Sequence, residues 1–408
     1  MLETLAHVLA GVALGTVTGL IPGLHVNNLT PILIALAAGA SAEMAALIVA
    51  MSITNAFISY IPSTFLAAPE EGTELSVLPA HRLLLEGRGY QAIRLSATGC
   101  LGGVMLSAAL ALPFMPVIGP IYDLIRPQMH WLLLTVTVVM IFLEKSRGKI
   151  IWATAIFLMS GLLGLLTLDT GLMPADAALL PLLSGLFGLS VLLPSIANCS
   201  SLPEQHLDEE PINIQNSLKP VSAGTAAGIL TGIVPSIGPS QGTVLAQLVV
   251  RSKGTEEFLM SVGCVNTSKA LFSFIAIFAI GRGRSGAAVA VEKIVDAANI
   301  TPLLIIGVAL FAAGIAAILQ LQLGKLAARH MDRLPYRWLG VAVMAFILGL
   351  IFYCTGFIGI LVLTIATSIG MLPALAKVKR THSMGVLMLP CLLFFAGAKD
   401  GVLAALGL

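Results

Sequence analysis

The hydrophobic and polar positions of this chain form long apolar runs separated by short polar segments. Ten runs are long enough to cross a bilayer, which takes about 20 helical residues and fewer inside a bundle. They lie at 43–65, 95–112, 128–143, 150–168, 177–196, 258–280, 303–322, 338–353, 356–374 and 383–406. The pattern predicts an all-α, polytopic membrane protein with about ten transmembrane helices.

Two further apolar segments, 5–39 and 221–252, are each interrupted by a proline. The arms 5–20 and 24–39 on either side of the first break would each reach about 24 Å at 1.5 Å per residue. That length is less than the ~30 Å hydrocarbon core of a bilayer. We therefore predict two re-entrant, broken helical hairpins with their tips near the middle of the membrane.

The two interrupted segments are copies of one pattern. Residues 10–24 read AGVALGTVTGLIPGL and residues 223–237 read AGTAAGILTGIVPSI, an offset of 213 with seven of fifteen positions identical. We predict two repeats, 1–196 and 220–408, joined by a polar linker at 197–219. Duplicated, interrupted hydrophobic segments are typical of the substrate site of a secondary transporter.

The charges of the loops predict that the two repeats have opposite orientations in the membrane. Sixteen of the 22 Lys and Arg residues lie in the loops 81–94, 144–149, 197–219, 251–257, 325–337 and 377–382. The positive-inside rule places these loops in the cytoplasm. The basic loop 325–337 maps by the offset onto 112–124, which has no Lys or Arg. This reversal, with an odd number of spans in each half, predicts inverted topology.

Composition excludes several classes of protein. Hydrophobic residues make up 57% of the chain, charged residues 10%, and the mean hydropathy is +0.98, whereas soluble domains carry about 25% charged residues. We expect a multi-pass protein of the cell membrane, surrounded by lipid, with no nucleic-acid partner because no basic cluster is present. The N-terminus has no basic region and no cleavage site, so we expect it to be mature protein.

The motifs of common membrane enzymes are missing from the sequence. It contains no His-Glu-x-x-His, no Gly-x-Ser-x-Gly and no P-loop, which argues against an intramembrane protease and an ATP-driven pump. The five cysteines are scattered without metal-ligand spacing. We therefore expect no enzyme activity, no metal site and no cofactor.

Small and polar residues surround both proline breaks. A helix that restarts after a break presents free N–H groups and a positive dipole end, which suit a carboxylate or a phosphate. The alternative is that Gly and Pro only permit close packing and kinks. The residues predicted to bind substrate here are Gly19, Pro22, Gly23, His25, Asn27, Asn28, Gly232, Pro235, Ser236, Gly238, Ser240 and Gln241.

The next segment of each half adds further candidates. After one gap, Thr54 and Asn55 align with Thr267 and Ser268, and the second half continues with Lys269. A lysine in an apolar helix costs about 2.5–3.5 kcal/mol on insertion scales. We therefore expect Lys269 to face a cavity and neutralise an anionic substrate. The alternative is a lysine that reaches the interface or pairs with a structural carboxylate.

Charged loops follow these two segments. The second loop, GRGRSG at 281–286, contains Arg282 and Arg284, whose forked guanidinium groups suit anionic groups. The first loop, 62–74, is acidic, and we predict that Glu70 carries a coupling proton. Solvated loop charges are the alternative for both loops.

Three motifs point to a known family. They are GTVTGLIPGLHVNN at 15–28, LPAHRLLLEGRGYQAIRLSATGCLGG at 78–103 and PLLSGLFGLSVLL at 181–193. With them, the chain resembles the prokaryotic large membrane subunit of the tripartite tricarboxylate transporters over nearly its whole length. The chain departs from the family pattern at His25 and Ser236, where the family has glycine. The resemblance implies a transporter fold, with a small membrane subunit and a periplasmic binding protein as partners.

These observations together predict a function. We expect a secondary transporter that moves a small organic anion of the carboxylate type by alternating access, coupled to Na⁺ or H⁺. The alternative within transport is translocation of a lipid-linked phosphate of the polyprenyl-phosphate type, because the same helix ends would suit a phosphate headgroup.

Overall fold

The computed structural model of the chain consists of helices and connecting turns. It describes residues 2–21, 26, 41–66, 72–73, 75–173, 175–197, 203–207, 211–212, 214–234, 238–250, 254–295, 300–330 and 336–405. No strand occurs among these residues. The predicted all-α class is therefore confirmed for the part of the chain that the structure describes.

The first half of the chain contributes nine of the described α-helices. They are α1 (Leu2–Leu20), α2 (Ala42–Ile58), α3 (Tyr60–Phe65), α4 (Val77–Leu85), α5 (Gly89–Ile125), α6 (Met129–Phe142), α7 (Arg147–Leu168), α8 (Ala175–Leu183) and α9 (Ser190–Ala197). A 3₁₀ turn, Arg126–Gln128, connects α5 to α6, and a π-helical turn, Ser184–Leu189, connects α8 to α9.

The second half contributes eight more among the described residues. They are α10 (Ile214–Ile233), α11 (Pro239–Val250), α12 (Thr255–Ile280), α13 (Gly286–Val295), α14 (Pro302–His330), α15 (Tyr336–Ala376), α16 (Gly385–Phe395) and α17 (Lys399–Ala405). A 3₁₀ turn, Arg380–Met384, leads directly into α16.

Eight described helical segments are long and apolar enough to cross a membrane, or nine if the bent pair Arg380–Phe395 and Lys399–Ala405 forms one span. The prediction was about ten. Two predicted pairs of spans fall within single long segments, Gly89–Phe142 and Gly340–Ala376. In the first, prolines at 113, 116 and 120 remain inside α5, as membrane helices allow. In the second, α15 bends at Gly356, whose φ of 63° ordinary residues rarely adopt.

Two helices flank the proline break of the second interrupted segment. Helices α10 and α11 flank residues 234–238, of which 235–237 lie outside the described residues. A Cβ atom at Gly242 of α11 would lie 2.7 Å from the Thr231 Cγ2 atom of α10 and 3.0 Å from the Val265 Cγ1 atom of α12. Only glycine therefore permits this packing. In the first interrupted segment, the arm after Pro22 lies outside the described residues, apart from Val26.

The chain divides into two compact units, and each unit takes residues from both halves. Unit 1 consists of Met1–Tyr122 and Ser200–Tyr336, and unit 2 of Asp123–Cys199 and Arg337–Leu408. The core of unit 1 is formed by α2 and α12, which are buried along most of their lengths. The core of unit 2 includes an apolar cluster of Leu180, Leu189, Ile347, Ile351 and Leu363.

Part of the polar linker is packed against unit 1. The buried Gln205 carboxamide accepts a hydrogen bond from the Gly89 N–H (2.9 Å) and donates one to the Leu84 carbonyl (3.1 Å). The His206 N–H donates to the Gly87 carbonyl at 2.8 Å. Residues 203–207 therefore bind the turn between α4 and α5, and α10 begins at Ile214.

Candidate functional site

The candidate site is built on two helix pairs that pack through glycine. In the first pair, Gly11, Gly15 and Gly19 lie along one face of α1, against α2. A Cβ atom at Gly15 would lie 2.5 Å from the Met51 carbonyl oxygen and 2.8 Å from the Thr54 Cβ atom. Small residues let two helix backbones approach closely in a membrane protein.

The second pair, α10 and α12, packs in the same way. Its glycines are Gly224, Gly228 and Gly232, each 213 positions after its counterpart. A Cβ atom at Gly228 would lie 2.5 Å from the Ser268 Cβ atom, and one at Gly232 would lie 3.0 Å from the Lys269 carbonyl oxygen.

A threonine lies three residues after the middle glycine in both pairs. The Thr18 hydroxyl donates to the Gly15 carbonyl at 3.1 Å, and the Thr231 hydroxyl donates to the Gly228 carbonyl at 3.0 Å. Thr18 also accepts a hydrogen bond from the Asn55 amide at 3.1 Å. Sequence analysis did not single out either threonine, although both belong to the identical positions of the repeat.

The glycine contacts show which residues of α2 and α12 correspond to each other. This correspondence differs by one residue from the sequence alignment. Gly15 contacts Thr54, and its counterpart Gly228 contacts Ser268. Thr54 therefore corresponds to Ser268, and Asn55 to Lys269. The alignment had paired Thr54 with Thr267, which keeps the offset of 213, whereas the glycine contacts give an offset of 214 on the contacted helix.

Helices α2 and α12 also meet each other. The Asn266 amide donates to the Ala56 carbonyl at 3.3 Å. Gly72 also packs against the Asn266 side chain. Its φ is 100°, and a Cβ atom at Gly72 would lie 2.3 Å from the Asn266 Oδ1 atom. Sequence analysis did not identify Asn266 as a site residue. The contact brings the polar segments of both halves together inside unit 1.

Two predicted substrate residues make helix-packing contacts. The Thr267 hydroxyl donates to the Cys100 carbonyl of α5 at 2.9 Å, and the Ser268 hydroxyl donates to the Gly103 carbonyl at 3.2 Å. Both side chains are fully buried. Their hydroxyl groups therefore join α12 to α5.

Other polar groups near the hairpins are buried. Ser240, Gln241 and Thr243 lie in the first turns of α11 with at most 2% exposure. The Gln241 carboxamide accepts a hydrogen bond from the Gly238 N–H at 2.9 Å, which stabilises the start of the helix. The Thr54 and Thr243 hydroxyl groups have no hydrogen-bond partner among the described residues.

The two predicted arginines have different surroundings. Arg282 is exposed, whereas Arg284 is partly buried, with its Cζ atom 4.8 Å from the centre of the Tyr122 ring. The backbone N–H of Arg284 donates to the backbone carbonyl of Ser273 in α12 at 3.4 Å. Ser273 lies four residues after Lys269, so both residues occupy the same face of the helix. Sequence analysis gave no indication of Tyr122.

Several predicted site residues lie outside the described residues. They are Pro22, Gly23, His25, Asn27, Asn28, Glu70, Pro235 and Ser236. Within the part of the chain that the structure describes, no group of three or more His, Cys, Asp or Glu side chains could hold a metal ion.

Unit 2 contains a separate buried acid–base pair. The Glu144 carboxylate accepts hydrogen bonds from the Lys379 N–H (3.0 Å) and the His382 Nε2 atom (3.1 Å). Burial acts to raise the pKa of Glu144, but these two hydrogen bonds outweigh it and hold the pKa below its ordinary value. A second pair joins Lys399 to Asp169. Each pair connects a residue of the first half to one of the second.

Comparisons with known proteins agree with this architecture. The family model described as "Tripartite tricarboxylate transporter TctA family" matches residues 5–385. An uncharacterized protein of Methanocaldococcus jannaschii is 28% identical over 402 residues, covering 96% of this chain and 98% of the relative. No solved structure gives a significant match. Matched over nearly its whole length, and with eight described helices able to span a membrane, the chain belongs to the tripartite tricarboxylate transporter TctA family of multi-pass membrane transport proteins.

Proposed function

We propose that this protein moves a small organic anion of the carboxylate type across the membrane by alternating access, coupled to Na⁺ or H⁺. The observation that carries the proposal is the pair of glycine-packed helix pairs that meet in unit 1, with a neutral Asn55 in one and a cationic Lys269 in the corresponding position of the other. Duplicated interrupted segments of this kind surround the substrate in secondary transporters.

The proposal includes two inverted repeats, 1–196 and 220–408. In unit 1, the loop at 81–94 contacts three other loops that the charge rule assigns to the same side. Gly89 binds Gln205, the Arg88 guanidinium lies 3.4 Å from the Glu256 carboxylate, and the Lys325 Nζ atom lies 5.8 Å from the centre of the Tyr90 ring. In unit 2, Glu144 and Lys379 connect two further loops of that side. These contacts support the orientation.

Both candidate half-sites belong to the same compact unit. Helices α1, α2, α10, α11 and α12 all lie in unit 1, so a movement of this unit as a body would carry the whole site. Such a movement would require a connection that holds the two half-sites together. The contact between Asn266 and Ala56 supplies such a connection.

Charge favours an anion over a neutral substrate. Lys269 belongs to α12, and the backbone of Arg284 contacts the same helix at Ser273, one turn further on, whereas the first half has the neutral Asn55 at the position that corresponds to Lys269. In a low-dielectric environment, a hydrogen bond to a charged partner contributes about 1.5–3 kcal/mol. We propose Glu70 as the coupling residue, and a small membrane subunit and a periplasmic binding protein as partners, as in tripartite systems of the family.

A thermal-shift screen of the purified protein tests the proposal. We expect citrate or another small carboxylate to raise the melting temperature, because a ligand at 100 times its Kd stabilises the folded state by about 2.7 kcal/mol. Undecaprenyl phosphate in matched detergent is the comparison. Stabilisation by undecaprenyl phosphate alone would favour the lipid-phosphate alternative, and no response to either anion would contradict both.

A further inference from the structure

The loop that carries Arg284 is held in place from both sides. The Gly283 N–H donates to the Glu292 carboxylate of α13 at 2.7 Å, and the Ser285 hydroxyl lies 3.2 Å from the Ser273 hydroxyl of α12. A Cβ atom at Gly283 would lie 2.5 Å from the Ala288 carbonyl carbon, so the loop is pressed against α13. Residue 284 therefore has a defined position between two helices.

The Arg284 guanidinium group is oriented by an aromatic ring. Its Cζ atom lies 4.8 Å from the centre of the ring of Tyr122, a buried residue near the end of α5. A guanidinium group that stacks on an aromatic ring uses its face for the contact and keeps the N–H groups of its edge for hydrogen bonds. Tyr122 thus fixes the plane of the group without using its donors.

The donors on one edge of this guanidinium group are buried and unused. The Nε and Nη2 atoms of Arg284 have no hydrogen-bond partner among the described residues, and no described carboxylate forms an ion pair with it. These two atoms form the edge whose N–H bonds run parallel. Two parallel N–H donors match the two oxygens of a carboxylate or phosphate group.

We propose that the Nε and Nη2 atoms of Arg284, oriented by Tyr122, bind one oxyanion group, a carboxylate or a phosphate, through two parallel hydrogen bonds. This inference rests on the proposed function and assigns one group of the transported anion to a named edge of one residue. The Arg284 backbone N–H donates to the carbonyl of Ser273, which lies one helical turn beyond Lys269 on α12. Tyr122 is a positioning residue in this arrangement.

The test compares variants of the purified full-length protein by calorimetric titration with citrate and, separately, with undecaprenyl phosphate. Arg284→Lys keeps the positive charge and removes the parallel pair of donors, so we expect the Kd of the bound anion to rise at least tenfold. Arg126→Lys, an exposed arginine four residues after Tyr122, is the matched control and should change the Kd less than twofold.

A second pair of variants keeps Arg284 itself. Tyr122→Phe retains the aromatic ring and should bind like the parent, whereas Tyr122→Leu removes it and should weaken binding at least threefold. If Arg284→Lys fails to fold, this pair still tests whether anion binding depends on the orientation of the Arg284 guanidinium group.

The outcomes distinguish this inference from the proposed function. If the parent protein and the Arg284→Lys variant bind citrate equally well, the proposed role of the Nε and Nη2 atoms of Arg284 is wrong. The proposed function is then unaffected. Equal binding by Tyr122→Leu and Tyr122→Phe overturns the positioning role. A parent protein that binds neither anion overturns both proposals. Binding of undecaprenyl phosphate alone, weakened in Arg284→Lys, supports the fork with a lipid phosphate as its ligand.

Discussion

Asn55 and Lys269 occupy corresponding positions in two similarly packed helix pairs, yet one side chain is neutral and the other is cationic. The Asn55 amide is bound to Thr18, which accounts for a polar group in a buried helix. The second half has a charged side chain, Lys269, at the matching position. The proposed function predicts that this difference matters for binding an anionic substrate, which the next variants test.

Lys269→Ala should fold and lose anion binding. We expect a melting temperature close to that of the parent and a Kd at least tenfold higher, about 1.4 kcal/mol of binding free energy. Lys269→Arg should recover only part of the affinity. It keeps the positive charge, but a planar guanidinium group has a different shape from the compact ammonium group of lysine. Lys293→Ala, an exposed lysine of α13, is the control. Parental binding by Lys269→Ala would show that the lysine is structural.

Glu144 should make the stability of the protein depend on acid pH. Its pKa in the folded state is lowered, so its stabilising contribution is fully present above the ordinary glutamate pKa, near 4.3. The contribution is lost as the pH falls from there through the lower folded pKa. Glu144→Gln should flatten this part of a melting-temperature profile. An unchanged profile in the variant would contradict the assignment.

Removing the carboxylate entirely should destabilise unit 2. Glu144→Ala leaves the His382 ring and the Lys379 backbone N–H without their buried acceptor, and leaving a buried donor unsatisfied costs about 1–3 kcal/mol. Chemical denaturation in detergent measures the loss. Lys145→Ala, at the exposed next position, should have little effect, and equal stability of the two variants would argue against the pair.

Glycine spacing organises the elements of unit 1. Three glycines at intervals of four residues lie on one face of α1 and again on one face of α10, and each set admits a neighbouring helix whose backbone would collide with a side chain. The same repeat can therefore serve packing and position polar groups at once. The alternative considered from sequence, that these glycines permit close packing, is true of Gly19 and Gly232 whatever else they do.

Gly15→Ala and Gly228→Ala should destabilise the protein, because each new methyl group would lie 2.5 Å from a neighbouring atom. Overpacking of this kind costs about 1–3 kcal/mol. Gly307→Ala in α14 is the matched control, since nothing lies within 4 Å of its added Cβ atom. Thermal unfolding in detergent compares the melting temperatures of the three variants. Equal values would show that the two glycine-packed helix pairs can move apart to accept a methyl group.

The sequence predicted the elements better than their contacts. Apolar runs located the helices because helix formation in a membrane protein depends on local composition. Tyr122, Asn266 and the pairing of Glu144 with His382 could not be predicted, because each contact joins residues more than 100 positions apart. The one-residue error at Thr54 arose because aligned letters do not contain the helix packing that sets the register.

At the scale of the whole molecule, the two compact units do not coincide with the two sequence halves. Each unit contains a segment from each half, as expected if the halves are intertwined inverted repeats. In unit 2, the pairs Glu144–His382 and Asp169–Lys399 each connect the halves. We therefore expect neither half to fold alone, although each carries its own copy of the repeat.

The orientation of the loops can be tested by labelling. In a cysteine-free background, Glu86→Cys and Lys145→Cys should react with an impermeant thiol reagent from the cytoplasmic side only. Arg126→Cys and Lys293→Cys should react from the opposite side, because the four positions are exposed and the inverted arrangement separates them. Labelling of all four positions from the same side would contradict the predicted topology.

Transport of a small organic anion is the central claim, and uptake into proteoliposomes measures it most directly. Protein reconstituted into lipid vesicles should accumulate labelled citrate or another small carboxylate when a Na⁺ or H⁺ gradient is applied. Protein-free vesicles should not do so, and Lys269→Ala should abolish most of the uptake. If parent vesicles take up no carboxylate above the protein-free background while undecaprenyl phosphate crosses the same bilayers, the protein is not a carboxylate transporter and the central claim is wrong.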